Sequence, residues 1–174
     1  YAGVADDDIA VAKTLEEANV YMEQGKYVAT EDANMISQAN LVQCVIDATG
    51  VPDVGAHVAT TAMKNHKHCV MLNVETDIVI GSYLKKLGDE NGVIYTGSDG
   101  DEPGAVMHLY SFARAMGMEV KVMGKGKNNK LDYDCNPDTV LEEATRRKMS
   151  PKMLCAFKDG TKTMVEMTAM SNAT

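Results

Sequence analysis

The chain has 174 residues, 45% of them hydrophobic, and a formal net charge of -8 at neutral pH. That acidic balance argues against nucleic acid or an anionic membrane as partner, since both require a basic face, and no apolar run approaches the roughly 18 to 20 residues of a membrane span. The length suits one ordinary domain, or parts of two that share a boundary.

Polar sequence with Asp6, Asp7 and Asp8 stands where a secretory leader would be basic and then apolar, so a cytoplasmic protein is expected. Cys44, Cys69, Cys135 and Cys155 lie far apart without a Cys-x-x-Cys pair, which fits free, mostly buried thiols rather than a zinc ribbon or a thioredoxin-like motif. Thirteen methionines and no tryptophan indicate flexible core filling.

In chain order, residues 9–24 show apolar or small residues at helical spacing, closed by Gly25. Residues 27–30 form a short strand, and Asp32 caps a helical turn to Ala39. Cys44-Val45-Ile46-Asp47-Ala48-Thr49-Gly50 reads as a buried parallel strand entering a loop of small residues. Pro52 and Asp53 open a helix to about Lys64, residues 68–72 repeat the strand, residues 78–91 follow as a helix closed by Asn91-Gly92, and residues 93–96 make a third strand.

Alternation of this kind is the pattern of parallel βαβ units, whose ligands bind beyond the carboxyl ends of the strands. The loops 48–52, 73–77 and 97–104 therefore matter most. Beyond Pro103 a helix is predicted to Met116, with Gly117 as its stop, then a strand over 120–123, the loop 124–130 and a helix from Pro137 to about Lys148. Strand character returns at 153–157, Asp159-Gly160 reads as a hairpin turn, and 163–170 suits strand or helix. With no repeat or obvious linker, the boundary between domains is placed in 97–103.

No Gly-x-Gly-x-x-Gly segment stands between a strand and a helix, and Gly124-Lys125 lacks the spaced glycine and the following Ser or Thr of a phosphate-binding P-loop. Among positive signals, Asp99, Asp101 and Glu102 place carboxylates at a strand's end and a helix's start. There they either favour the helix's positive end, by roughly 0.3 to 1 kcal/mol, or handle protons or a divalent metal. Lys125, Lys127, Asn128 and Asn129 lie between and beyond two glycines; they read as a solvated basic loop, or as donors for a phosphate, a carboxylate or a developing alkoxide. Glu75 is a helix-entry acid beside Asp77, or a group facing a cofactor bound across the sheet. His57, His66, His68 and His108 show no metal-ligand spacing on a shared helix and read as surface features.

Five segments carry a resemblance along essentially the whole chain: Val45 to Pro52, Met71-Leu72-Asn73-Val74-Glu75, Gly100-Asp101-Glu102-Pro103, Gly124 to Asn129, and Asp159 to Met167. With them the sequence resembles homoserine-dehydrogenase-like oxidoreductases, the group that includes 1-deoxy-D-xylulose 5-phosphate reductoisomerase-like proteins. The resemblance implies an α/β chain in which the C-terminal part of a Rossmann-type parallel sheet (1–98) is followed by part of an α+β catalytic domain (99–174). It also implies a fragment of a longer chain whose Gly-rich turn precedes Tyr1. Ala48, Thr49 and Gly50 would line the dinucleotide, with Asn73 near the nicotinamide ribose.

Homoserine dehydrogenases follow the strand end with a lysine where this chain has Val74 and Glu75, so the reductoisomerase-like members are the better match. For them the implied reaction converts 1-deoxy-D-xylulose 5-phosphate to 2-C-methyl-D-erythritol 4-phosphate, an isoprenoid precursor, with NADPH. The expectation is thus an NAD(P)-dependent oxidoreductase acting on a small polar substrate, with NADP as cofactor, NAD as the alternative and a divalent metal left open. Asp101 and Glu102 would manage protons or metal, and Lys125 and Lys127 would hold the anion or stabilise the alkoxide. Homoserine dehydrogenase proper and a non-catalytic binding or regulatory module are the rival readings. Apolar sheet surface left by a missing first unit leads to the expectation that the piece is held by the rest of its chain or self-associates as a homo-oligomer.

Overall fold

Short strands, each followed by a helix, set the order of the first half of the molecule. The structure is a computed structural model that describes residues 3–127 and 129–174. It divides into two units, Tyr1–Ser98 and Asp99–Thr174.

In the first unit, β1 (Ile9–Val11) pairs in parallel with β2 (Tyr27–Ala29), Ile9 opposite Tyr27. Between them runs α1 (Leu15–Glu23). The predicted helix over 9–24 thus gives up its first six residues. Thr14 fixes the true start: its hydroxyl accepts from the Glu17 N–H while the Glu17 carboxylate accepts from the Lys13 N–H, so the first orphan donors are satisfied only from that point. Gly25, at φ +78, closes the helix as expected. Asp32 caps α2 (Ala33–Gln38) by accepting from Asn34 N–H, and Ala12, Ala18 and Met35 form a small core beneath.

A second parallel sheet has the order β3 (Cys44–Asp47), β4 (His68–Met71), β5 (Tyr95–Gly97), with Val45 opposite Cys69 and Cys69 opposite Tyr95. α3 (Pro52–Lys64) connects the first two strands and α4 (Val74–Glu90) the last two. Helix α4 begins four residues before the predicted Ile78, because the Asn73 side chain accepts from Thr76 N–H and caps it there. The third strand forms two residues later than the predicted 93–96. The main core lies between α3, α4 and the sheet and includes Met63, Cys69, Met71, Leu84 and Leu87. Burial of this apolar surface drives the unit's folding, at about 25 cal/mol per Å² removed from water. Burial also pushes the Cys69 thiol up to about 12, with Asp47 adding to the shift.

The second unit is helical: α5 (Glu102–Ala115), α6 (Leu141–Arg147), α7 (Pro151–Asp159) and α8 (Thr161–Asn172). Two predicted strands are absent among the described residues. Val120 to Met123 is irregular, with Val122 89% exposed; β-branched residues favour a strand only beside a partner edge that takes up their backbone hydrogen bonds. Residues 153–157 lie inside α7, which begins at Ser150-Pro151, a proline at the first helical position. The neighbours Leu154 and Cys155 are both buried, against Val140 and Ala144, as one face of a helix allows and strand alternation does not. Gly160 (φ +91) joins α7 to α8 and is no hairpin turn, and the ambiguous 163–170 is helix. The α/β class holds, with both sheets parallel and both in the first unit; within the second, strand pairing is limited to the isolated bridge Asp99–Asp101 among the described residues.

Candidate functional site

At the carboxyl end of β3 the chain turns through Ala48, Thr49 and Gly50 before Pro52 starts α3. Ala48 and Thr49 are exposed, and Gly50 has φ +64, a conformation open to glycine at little cost. Asn73 holds the turn from behind. Its Nδ2 donates to Asp47 Oδ2 at 2.8 Å, to Thr49 Oγ1 at 3.2 Å and to the Val51 carbonyl at 3.1 Å, while its Oδ1 accepts from Thr76 N–H.

Asn73 is fully buried, and Asp47 is 2% exposed. The side chain thus positions the loop from within, and the loop residues, not Asn73, offer the accessible surface. Thr76 completes the lock through its hydroxyl, which donates to the Pro52 carbonyl at 3.2 Å. Glu75, half-buried, stands in the first turn of α4 beside this network.

The second unit gathers the other sequence candidates. Asp101 is the N-cap residue of α5 and Glu102 its first residue. From the loop after α5, Lys125 reaches Glu102 Oε1 at 2.7 Å and also pairs with Glu166 of α8. Glu166 is 1% exposed, and a carboxylate so buried is tolerable only with a cation beside it. Lys127 Nζ donates to the Phe157 carbonyl at 2.7 Å, 5.9 Å from the centre of the Phe157 ring, and Asn129 Nδ2 donates to the same carbonyl at 3.2 Å. Asn128 lies outside the described residues. Asp99 pairs at the surface with His108 at 3.3 Å.

Electrostatics separate the two adjacent carboxyls. The hydrogen bond from Lys125, then that with Asp101, lowers Glu102 from 4.5 to about 2. Burial, then the hydrogen bond with Glu102, raises Asp101 above the usual aspartate range. For Lys125 burial works downward, but the hydrogen bonds to Glu102 and Glu166 outweigh it and hold the ammonium above its ordinary value. Two neighbouring carboxyls driven apart in this way are suited to a shared-proton role, with Asp101 as the proton holder.

A stability consequence follows. Because Glu102 is depressed in the folded state, its contribution is present above 4.5 and is lost as pH falls from there towards 2. The side chain is half exposed, so the loss is modest. Urea midpoints measured between these limits should fall less steeply in Glu102→Gln than in the wild type; parallel curves would contradict the pairing.

Glu102 and Lys125 border a cleft of about 550 Å³ in the second unit, lined also by the cations Lys127, Arg147, Lys158 and Lys162 and by the carboxylate Glu143. A cationic cleft in an acidic chain suits an anionic small molecule. Sequence reasoning missed Glu166, Arg147, Lys158, Lys162 and Glu143. Glu166 alone had a visible signal, a carboxylate set in the apolar run Met164-Val165-Glu166-Met167. Among the described residues no three His, Cys, Asp or Glu side chains gather as a metal site would require, and no helix is long and apolar enough to cross a membrane.

No curated protein sequence matches the chain. Residues 100–174 match the family model for the catalytic domain of the oxidoreductase DRL. The segment that carries Asp101, Glu102, Lys125, Lys127 and Glu166 is therefore similar to an oxidoreductase catalytic domain of the reductoisomerase-like kind.

Proposed function

We propose that the chain belongs to an NAD(P)H-dependent oxidoreductase that acts on the hydroxy or keto group of a small, anionic, polar substrate, with 1-deoxy-D-xylulose 5-phosphate as the first candidate. The observation that carries this reading is Lys125, held between Glu102 and Glu166 at a cationic cleft inside the region matched to an oxidoreductase catalytic domain.

The residues present fit a dinucleotide. Ala48, Thr49 and Gly50 offer an exposed turn of small residues at the carboxyl end of a parallel strand, where such ligands bind. Bound there, the nicotinamide supplies or accepts the hydride. An ammonium has three donors; Glu102 and Glu166 take two of Lys125's, and the third serves a substrate oxygen that gains negative charge. Reduction of a carbonyl also consumes a proton, which Asp101, the carboxyl of raised pKa, delivers to that oxygen. Lys127, anchored on the Phe157 carbonyl, fixes the loop that presents Lys125.

The test is NADPH oxidation by the intact protein, offered 1-deoxy-D-xylulose 5-phosphate and then homoserine, with NADH in parallel. Turnover with the first supports the reading, and Asp101→Asn should then reduce kcat by about 10²-fold or more with the fold retained. Turnover with homoserine alone moves the substrate to the homoserine dehydrogenase class. Absence of dinucleotide binding as well as turnover fails the enzyme reading in favour of a binding module.

A further inference from the structure

Two of the four cysteines meet in the second unit. Cys155, in the middle of α7, is buried, and Cys135, in the turn that precedes α6, is half-buried against the same small core of Val140, Ala144 and Leu154. The Cys155 thiol donates to the Cys135 carbonyl at 3.3 Å, with Asp159 Oδ2 as a second acceptor at 3.7 Å. Burial first, and then a hydrogen bond with the Cys135 thiol, push Cys155 up to about 11. The other two cysteines are not placed in this way. Val45 is the residue opposite Cys69 in the first unit's sheet, so Cys44, its neighbour in the strand, points to the other face. Helix α7 also carries Leu154, Phe157 and Lys158 to the cleft. The loop before Cys135 rests on that helix through carbonyl contacts alone: Lys127 and Asn129 donate to Phe157, and the Asp132 N–H donates to Lys158 at 3.0 Å.

We propose that Cys135 and Cys155 form an oxidative modification site, at which a small disulfide is reduced and an intramolecular Cys135–Cys155 disulfide fastens the loop 129–135 to α7 at the wall of the cleft. Access sets the order of the steps. The half-buried Cys135 loses its proton and attacks one sulfur of the small disulfide; that S–S bond breaks, and a small thiolate leaves and takes up a proton. Cys155, held as a thiol until then, loses its proton and attacks the Cys135 sulfur of the mixed disulfide, and the second small thiol departs. Two protein thiols give up two electrons and two protons, and one small disulfide becomes two thiols. Asp132 and Asp134 stand in the turn that holds Cys135, so a neutral disulfide is accepted more readily than an anionic one.

The probe is bis(2-hydroxyethyl) disulfide, a neutral small disulfide, added to the reduced full chain and followed by alkylation and peptide mass mapping, which require neither turnover nor a dinucleotide. The digest should contain the peptides of Cys135 and Cys155 joined, with no adduct left on either. The exposed Cys44 should keep its adduct, having no thiol beside it on its face of the sheet. Cys155→Ala should stop at the mixed disulfide on Cys135, and Cys135→Ala should leave Cys155 reduced. In the wild type, amide exchange at Asp132 should slow about tenfold or more on oxidation, because a covalent tie opposes local opening. A thiol reductant should restore the first rate.

A lasting adduct on Cys135 in the wild type, a bond from Cys135 to Cys44 or to a second molecule, or a Cys135 that stays reduced overturns the site. So does a joined pair that leaves exchange at Asp132 unchanged, which would separate the bond from the loop. The wild-type result alone decides the pairing, so a variant that fails to fold does not shield the proposal.

Discussion

Gly55→Ala should destabilise the first unit by roughly 3 kcal/mol, the sum of an overpacked contact and of hydrogen bonds pushed out of place. In an exposed helix the same change stabilises by up to about 1 kcal/mol, so even the sign is diagnostic. Gly55 lies in α3 against the Asp47–Asn73–Thr76 network, and a methyl group there would come under 3.0 Å from Thr76 Oγ1, Asn73 Nδ2 and Asp47 Oδ2. None of the three can withdraw freely, since each is fixed by the others or by backbone. Urea unfolding monitored by amide protection within residues 1–98 measures the effect. Gly97→Ala, where a methyl meets nothing within 4 Å, is the control and should stay near wild type. Equal midpoints for the two variants would contradict the packing described.

The second large effect concerns Lys125 and Glu166. Lys125→Met strands a carboxylate that is 1% exposed, and breaking a buried pair by removing one partner costs roughly 3 to 5 kcal/mol. Replacing both, as Lys125→Met with Glu166→Met, removes the unpaired charge together with its partner and should recover most of that stability, because apolar groups of similar volume substitute for buried pairs at little net cost. Activity should be absent from single and double variants alike. The measurement is a double-mutant cycle on urea unfolding; strictly additive changes would show that the two groups do not act as a pair.

The βαβ portion of the chain was legible because its signals are local. Pro52 opens α3 and Lys64 ends it where the sequence indicated; the strands at 44–47 and 68–71 are short, largely apolar runs that give way within two residues to small or polar ones. Errors arose where one run suits two periods. Ile9 and Ala12 fit a helix as well as an edge strand, and the cap at Thr14 decided between them. The run 153–157 is short and apolar enough to suit strand or helix, and the Ser150-Pro151 start makes it helix.

Within the site, Glu102 and Lys125 were visible as a carboxylate beside a helix start and a lysine between two glycines. Their pairing was not, because it depends on how the loop after α5 folds back. Glu166, Arg147 and Lys158 escaped for the same reason: each acquires its role only when α6, α7 and α8 come together, a tertiary outcome that no local pattern encodes.

Asn73 places a rule on how this sequence can change over time. At that buried point one end of the side chain must donate, to Asp47, Thr49 and Val51, and the other must accept, from Thr76. An aspartate would set two carboxylates against each other, and a leucine would take the donor from Asp47 Oδ2 and the side-chain cap from α4. Positions 47, 55 and 73 are therefore expected to drift together or not at all. In an alignment of relatives they should emerge as a covarying trio, recording a spatial contact between residues far apart in the chain.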